Sequence, residues 1–88
     1  MIKRGKLEIM RDILKIIEDN KNSIKPTPLL RKSNLSSIRF KEYYKELLNR
    51  KLIAELINKD KYIILTDKGF RFLEKYKTII SFIDEFKL

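Results

Sequence analysis

Residues 36–66 read SSIRFKEYYKELLNRKLIAELINKDKYIILT and join a helical pattern to a hairpin pattern. In the first half, apolar residues recur at steps of three and four, which predicts a helix to about Lys51 with one buried face. That face would hold Phe40, Tyr43, Tyr44, Leu47 and Leu48. Ser36 can cap the start of the helix. In the second half, two Ile-rich runs, Ile53 to Ile57 and Tyr62 to Thr66, flank Asn58–Lys61 and predict a β-hairpin with a charged tip.

Two helices are predicted before this stretch and one after it. Helical periodicity predicts a first helix from about Lys6 to Asp19, followed by a polar connector from Asn20 to Pro26. Thr27 and Pro28 predict the start of a short second helix to about Lys32, because a hydroxyl can cap free amides and proline suits the first helical position. Asn34 tolerates a left-handed turn before the third helix. Thr66 and Asp67 predict the start of a last helix that runs to the C-terminus.

The resulting order, α, α, α, β, β, α, predicts a mainly α fold with a small β-hairpin. Two helices joined by a tight turn and followed by a hairpin are typical of a winged helix-turn-helix, whose second paired helix enters the DNA major groove. A helical bundle with an incidental hairpin is the alternative. Under the first interpretation, residues 1–66 form a DNA-binding domain and residues 67–88 form a long C-terminal dimerisation helix.

The composition argues against several classes of function. The chain has 88 residues, 21 Lys plus Arg against 12 Asp plus Glu, a net charge of +9, and neither His nor Cys. The usual zinc ligands, thiolate nucleophiles and the commonest acid–base catalyst are therefore missing, so we expect neither an enzyme nor a cofactor. A basic protein favours a polyanionic partner. No apolar signal segment or membrane-spanning run is present, so an intracellular location is expected, and the wealth of Lys and Ile fits either a thermophilic protein or an AT-rich genome.

The positive charge lies mainly in the half that contains the paired helices. Residues 1–51 hold 14 basic and 6 acidic side chains, a net charge of +8, whereas residues 52–88 hold 7 and 6, a net charge of +1. Opposite the apolar face of the third helix lie Ile38, Glu42, Lys45 and Asn49, flanked by Ser37, Arg39 and Lys41. Of these, Ser37, Ile38, Lys41 and Glu42 are candidates for base contacts, whereas Arg39, Lys45 and the neighbouring Arg31 suit phosphates. A solvated charged face is the alternative.

Two further basic groups are weaker candidates. Lys59 and Lys61 at the hairpin tip could contact phosphates or a minor groove, although Asp60 between them equally fits a plain solvated turn. Lys3, Arg4 and Lys6 could form an arm along the DNA backbone, or an ordinary terminus. The aromatic residues of the third and last helices have helical spacing and are interpreted as core, which argues against stacking on single-stranded bases.

The last helix carries a continuous apolar seam. Its residues recur at alternating steps of four and three, as the a and d positions of a coiled coil do. They are Phe72, Tyr76, Ile79, Ile83 and Phe86. A helix of some 20 residues is about 30 Å long, which is more than a small core can cover, so a homodimer through this helix is predicted. Folding back as an extra core helix is the alternative.

Four segments carry a family resemblance. They are Arg4-Gly5-Lys6-Leu7-Glu8-Ile9, Ser33-Asn34-Leu35-Ser36, Leu65-Thr66-Asp67-Lys68-Gly69 and Phe72-Leu73-Glu74-Lys75-Tyr76. Together they resemble the small archaeal winged-helix DNA-binding proteins of the Sulfolobus ten-a type. The resemblance implies sequence-tolerant binding of double-stranded DNA, a dimer through a C-terminal antiparallel coiled coil, and a chromatin-organising role. The second helix, Pro26-Thr27-Pro28-Leu29-Leu30, departs from the basic segment expected there.

The sequence thus predicts a homodimeric winged helix that binds double-stranded DNA as a transcription regulator or chromatin protein. It is expected in the cytoplasm, associated with the nucleoid. Its rival is a winged helix that binds another protein and whose basic face serves only solubility. Membrane association is not expected under either.

Overall fold

The computed structural model describes residues 5–88. Within them, four helices and two strands follow the predicted order: α1 (Lys6–Asp19), α2 (Pro26–Ser33), α3 (Ser37–Asn49), β1 (Ile53–Ile57), β2 (Lys61–Leu65) and α4 (Asp67–Phe86). The fold is therefore mainly helical with one antiparallel hairpin, as the sequence pattern predicts.

The core forms around α1, which packs against α2, α4 and β2. One stripe of α1 is fully buried and consists of Ile9, Met10, Ile13, Leu14 and Ile17. The other elements add Leu29, Phe40, Leu47, Ile63 and Leu73, among others. Because each buried side chain of this size contributes about 1.5–3 kcal/mol relative to exposure, this shared core fixes where α3 and the hairpin lie.

The start of α2 differs from the prediction. The helix begins at Pro26, and its N-cap is Lys25, whose side chain makes no capping hydrogen bond. Both prolines therefore lie in the first turn, where a missing N–H costs no intrahelical hydrogen bond and the fixed φ is already helical. Thr27 lies inside the helix, so the predicted capping role of its hydroxyl is wrong.

The turn between α2 and α3 has the predicted chemistry. Asn34 adopts the left-handed conformation with φ 60° and ψ 31°. Two residues later, the Ser36 hydroxyl accepts a hydrogen bond from the Arg39 N–H at 3.2 Å. One residue reverses the chain and the other satisfies a free amide of α3, so α3 starts at a defined angle to α2.

The hairpin ends slightly earlier than predicted and has an additional neighbour. Ile53 pairs with Leu65 and Ile57 with Lys61. Thr66 lies just past the ladder, where its backbone N–H donates to the Leu52 carbonyl oxygen at 3.2 Å. Its hydroxyl caps α4 and accepts from the Gly69 N–H at 3.1 Å. Ile24, predicted to lie in a simple connector, exchanges two backbone hydrogen bonds with Ile63 at 3.1 and 2.7 Å and so covers the outer edge of β2.

The first half of α4 belongs to the core and the second half does not. Gly69 approaches the hairpin base so closely that a Cβ there would lie 2.2 Å from the Leu52 carbonyl oxygen. One turn further, Leu73 is buried. Beyond the core, Ile79, Phe82 and Phe86 are each more than half exposed. The second half of the helix therefore extends beyond the core. The molecule, with this helix included, measures 48 × 28 × 22 Å.

Candidate nucleic-acid interface

The outward face of α3 is formed as predicted. Ser37, Ile38, Arg39, Lys41, Glu42 and Lys45 are all exposed. The opposite face is held in place because Phe40 and Leu47 are buried and Tyr43, Tyr44 and Leu48 pack against the core. The structure therefore brings these six side chains together on one rigid surface of about two and a half turns. Their contact with DNA stays a prediction.

The cations on and beside α3 differ in whether another side chain restrains them. Within residues 5–88, Lys41, Lys45 and Arg31 have no ion-pair partner. The Arg39 guanidinium lies 6.0 Å from the centre of the Tyr43 ring, an arrangement that restrains it over the aromatic face. Three exposed, unneutralised charges and one pre-positioned guanidinium can thus bind a polyanion at no cost in broken ion pairs.

Lys6, a candidate for the arm along the DNA backbone, lies in an ion-pair cluster between two helices. Its ammonium lies 2.7 Å from a Glu46 carboxylate oxygen, and the Arg50 Nε donates to the same oxygen at 2.8 Å. These hydrogen bonds, the one from Lys6 first, lower the pKa of Glu46 below its usual value. Lys6 therefore connects α1 to α3. Lys3 and Arg4 lie outside the described residues.

Two of the three charged residues at the hairpin tip form local ion pairs. Lys61 lies 3.4 Å from Glu55 on the neighbouring strand, and Asp60 lies 3.3 Å from Lys25 ahead of α2. Lys59 has no ion pair in the part of the chain that the structure describes. Of the two lysines that the sequence singles out here, Lys59 is free to meet a phosphate directly, whereas Lys61 must first leave Glu55.

A hydrogen bond between Tyr44 and Glu55 joins α3 to the hairpin. The Tyr44 hydroxyl donates to the Glu55 carboxylate, which also faces Lys61. Partial burial, followed by this hydrogen bond, raises the pKa of Tyr44 well above its ordinary value. The same hydrogen bond, with a smaller effect of Lys61, lowers the pKa of Glu55. The contact therefore links the hairpin directly to α3, the two elements that would meet DNA.

Sequence reasoning missed this contact although a signal existed. The helical pattern places Tyr44 on the apolar face of α3, but a half-buried tyrosine usually finds a partner for its hydroxyl. Glu55 is the only charged residue in β1. A charged side chain within a short apolar strand, next to a tyrosine-bearing helix, was the available indication.

This contact predicts a specific pH dependence of stability. Because folding lowers the pKa of Glu55 below its usual 4.5, the ionised carboxylate stabilises the fold above that value, and the contribution is lost as pH falls through the folded-state pKa. Glu55→Gln should therefore unfold at lower urea than wild type near pH 7, and the difference should shrink near pH 3. Glu85→Gln, on the exposed end of α4, is the matched control. A gap between wild type and Glu55→Gln that stays constant with pH would contradict this role.

Two other kinds of site find no support in the described residues. Residues 5–88 contain no group of three or more His, Cys, Asp or Glu side chains that could hold a metal ion. Over the same range, none of the helices is long and apolar enough to span a membrane.

The arrangement of α2, α3 and the hairpin matches a known family. The family model described as winged helix-turn-helix matches residues 3–84, nearly the whole chain. The chain belongs to the winged helix-turn-helix family. In the terms of this family, α3 is the second helix of the helix-turn-helix and the β1–β2 hairpin is the wing.

A solved structure agrees with this assignment. The crystal structure of Sso10a-2, a DNA-binding protein from Sulfolobus solfataricus, is similar to the winged helix described above, with a TM-score of 0.76 and 20% sequence identity. The match covers 96% of this chain and 86% of that chain. The resemblance to the Sulfolobus group is thereby confirmed at the level of the fold, including the long last helix. No curated protein matches the sequence.

Proposed function

We propose that this winged helix binds double-stranded DNA, with α3 in the major groove and the wing beside it. The observation that carries the proposal is the exposed face of α3, on which Lys41 and Lys45 are unneutralised while the opposite face is locked into the core. A net charge of +9 adds long-range attraction to a polyanion. The similarity of this chain to Sso10a-2, itself a DNA-binding protein, supports the same function.

Each side chain has a proposed role that follows from its place on α3. Ser37, Ile38, Lys41 and Glu42 lie in the first turns, which in helix-turn-helix proteins meet base edges. Ile38 is 74% exposed and suits the methyl group of thymine. Arg39, Lys45 and Arg31 would bind phosphates, as would Lys59 on the wing. Lys61 would join them only if DNA displaced Glu55.

The exposed end of α4 supports a homodimer. Ile79, Phe82 and Phe86 are 54%, 55% and 57% exposed, and leaving such side chains in water forgoes roughly 1.5–3 kcal/mol each. Pairing of the seam with a second copy would cover them and present two α3 helices to one duplex. On this proposal residues 1–66 contact DNA, residues 67–88 dimerise, and Phe72 and Tyr76 serve both the core and the seam.

The protein would act without catalysis, in the cytoplasm and on the nucleoid. A transcription regulator and a chromatin-organising protein both fit, since each needs a dimer that holds duplex DNA. The exposed Leu56 and Ile57 on the wing, 55% and 72% exposed, favour a second candidate function, binding of another protein through an apolar wing.

Salt dependence separates the two functions. Duplex affinity should fall linearly on a plot of log K against log salt, with about six to ten phosphate contacts for the dimer and hence a slope of roughly −5 to −9. The measurement is fluorescence anisotropy with a mixed-sequence duplex over a range of salt concentrations. Absence of duplex binding at low salt, or affinity that does not change with salt, would leave the protein-binding wing as the better account.

A further inference from the structure

The wing carries a large apolar side chain next to its tip that the core does not cover. Ile57 is the last residue of β1 and is 72% exposed, whereas Ile53 at the other end of the strand is 2% exposed. The strand has passed the core at this point, so the Ile57 side chain contributes little to packing within the described residues. Its apolar surface is therefore available to a partner.

Ile57 lies on the face of the wing that is turned toward α3. Side chains alternate between the two faces of a strand, so Ile57 shares a face with Glu55, and Leu56 lies on the opposite one. The Glu55 carboxylate accepts a hydrogen bond from the Tyr44 hydroxyl of α3. Leu56 is also exposed, at 55%, but belongs to the face turned away from this contact. The two neighbouring residues thus allow the two faces of the wing to be tested separately.

The surface around Ile57 continues into the candidate DNA-binding face of α3. Lys61 pairs with Ile57 across the hairpin and lies on the same face of it. Lys61 also lines a groove between α3 and the wing, and the other residues along this groove include Ser37 and Lys41, two of the candidates for base contacts. A duplex that lies against α3 would therefore reach Ile57 without leaving the protein surface.

The wing is restrained by contacts along both of its strands. At its tip, the Asn58 N–H donates to the Asp60 carbonyl oxygen at 3.0 Å. The Asp60 carboxylate lies 3.3 Å from the Lys25 ammonium ahead of α2, and Ile24 bridges to Ile63 on the outer edge of β2. The hydrogen bond from α3 restrains β1 in the same way. A side chain near the tip can therefore press on a base step with the whole domain behind it.

The charges of the wing favour a polyanion as its partner. Both acidic side chains among residues 53–65 form ion pairs with lysines, Glu55 with Lys61 and Asp60 with Lys25. Lys59, at the tip, is exposed and has no ion-pair partner within residues 5–88. Proteins that bind the minor groove combine a cation with an apolar side chain in this way, since the cation contacts the DNA while the apolar side chain inserts between base pairs.

We propose that Ile57 inserts between two base pairs in the minor groove next to the α3 site, and that the resulting kink bends the duplex. The inference rests on the DNA binding of the proposed function and adds a change in DNA shape to it. Unstacking a base step costs free energy, which is offset by the additional contacts that a bent duplex makes with the protein. Pyrimidine–purine steps such as TA unstack most readily, so the wedge would favour duplexes that contain them.

Energy transfer between dyes at the two ends of a duplex tests this inference. A free duplex of about 30 base pairs is nearly straight, because its length is far below the persistence length of ~150 base pairs. Saturation with the full chain should bend it and raise the transfer. Ile57→Thr keeps a β-branched side chain that suits a strand but is too short and polar for a wedge. It should lose more than about half of the rise, while the duplex affinity falls by less than about 10-fold because the α3 contacts remain.

Two further variants make the comparison specific. Leu56→Thr, on the opposite face of the same strand, is the matched control and should bend the duplex as wild type does. Ile57→Leu keeps a large apolar side chain and should retain the bend. Ile57 and Leu56 are both exposed, so circular dichroism should show all three variants folded like wild type.

Three outcomes would overturn the inference alone. Wild type that binds the duplex without bending it excludes the wedge and leaves the proposed function intact. An Ile57→Thr variant that bends DNA as wild type does leaves the apolar wing tip to a protein partner. Equal losses of bending in Ile57→Thr and Leu56→Thr contradict a wedge on the α3 side of the wing. Wild type that binds no duplex at low salt contradicts the proposed function itself and this inference with it.

Discussion

Replacement of Ile79 and Ile83 by lysine is expected to yield a folded monomer that binds duplex DNA about 100-fold or more weakly than wild type. In the proposed dimer both residues lie in the seam between two copies of α4, where lysines would place like charges together in an apolar contact. Linking two α3 helices in one dimer raises the affinity for duplex DNA through effective concentration, typically by 10²–10⁴-fold. A monomer loses roughly this gain.

The fold itself should survive this change. Ile79 is 54% exposed in the single chain, and neither residue is among the buried side chains of the core. The last buried residue of α4 is Leu73, six residues before Ile79. Thermal unfolding should therefore remain cooperative, so that any loss of DNA binding reports assembly rather than folding.

A matched control adds the same charge elsewhere on the helix. Thr78→Lys with Ser81→Lys places two lysines on the outer face of α4, away from the seam, and should remain associated and bind DNA at least as tightly as wild type. Analytical ultracentrifugation and anisotropy on the same samples supply both readouts. An Ile79→Lys, Ile83→Lys variant that sediments like wild type would exclude this seam as the interface.

The sequence predicted those parts of the fold that depend on local chemistry. The apolar stripes of α1 and α3 follow from periodicity. The αL turn at Asn34 and the hydroxyl caps at Ser36 and Thr66 follow from what single residues can do with their own backbone. Because these features need no distant partner, they could be predicted without any knowledge of the tertiary structure.

The parts that the sequence did not predict depend on distant contacts. Ile24 reads as a residue of a polar connector, and only the approach of β2 gives its backbone a partner at Ile63. The sequence predicts that α2 starts at Pro28, whereas it starts at Pro26. Both prolines are compatible with a first turn, and local rules do not choose between them.

The candidate site likewise has features that the sequence predicts and features that depend on distant contacts. Exposure of the α3 face follows from the helical wheel, so all six of its residues were correctly placed on the surface. Which cations remain free does not follow, because Lys6 meets Glu46 across two helices and Lys61 meets Glu55 across two strands. Both pairs form only after the elements have packed.

Charge reversal on α3 tests most directly whether this face binds DNA. Lys41→Glu with Lys45→Glu removes two proposed phosphate or base contacts from each protomer, four in a dimer, and replaces them with repulsion. Duplex affinity at low salt should fall by at least about 100-fold, and the slope of log K against log salt should become shallower by roughly 3 to 4. Both lysines are exposed, so the variant should unfold like wild type.

The decisive comparison is with Lys75→Glu and Lys77→Glu, which makes the same change in net charge on α4. Anisotropy with one duplex, measured over the same salt series and after sedimentation has shown equal assembly, compares the two variants. The account predicts that the α4 variant keeps nearly the wild-type salt slope and affinity within a few-fold, whereas the α3 variant loses both. Equal losses in the two variants would mean that only net charge matters and that α3 does not read the duplex.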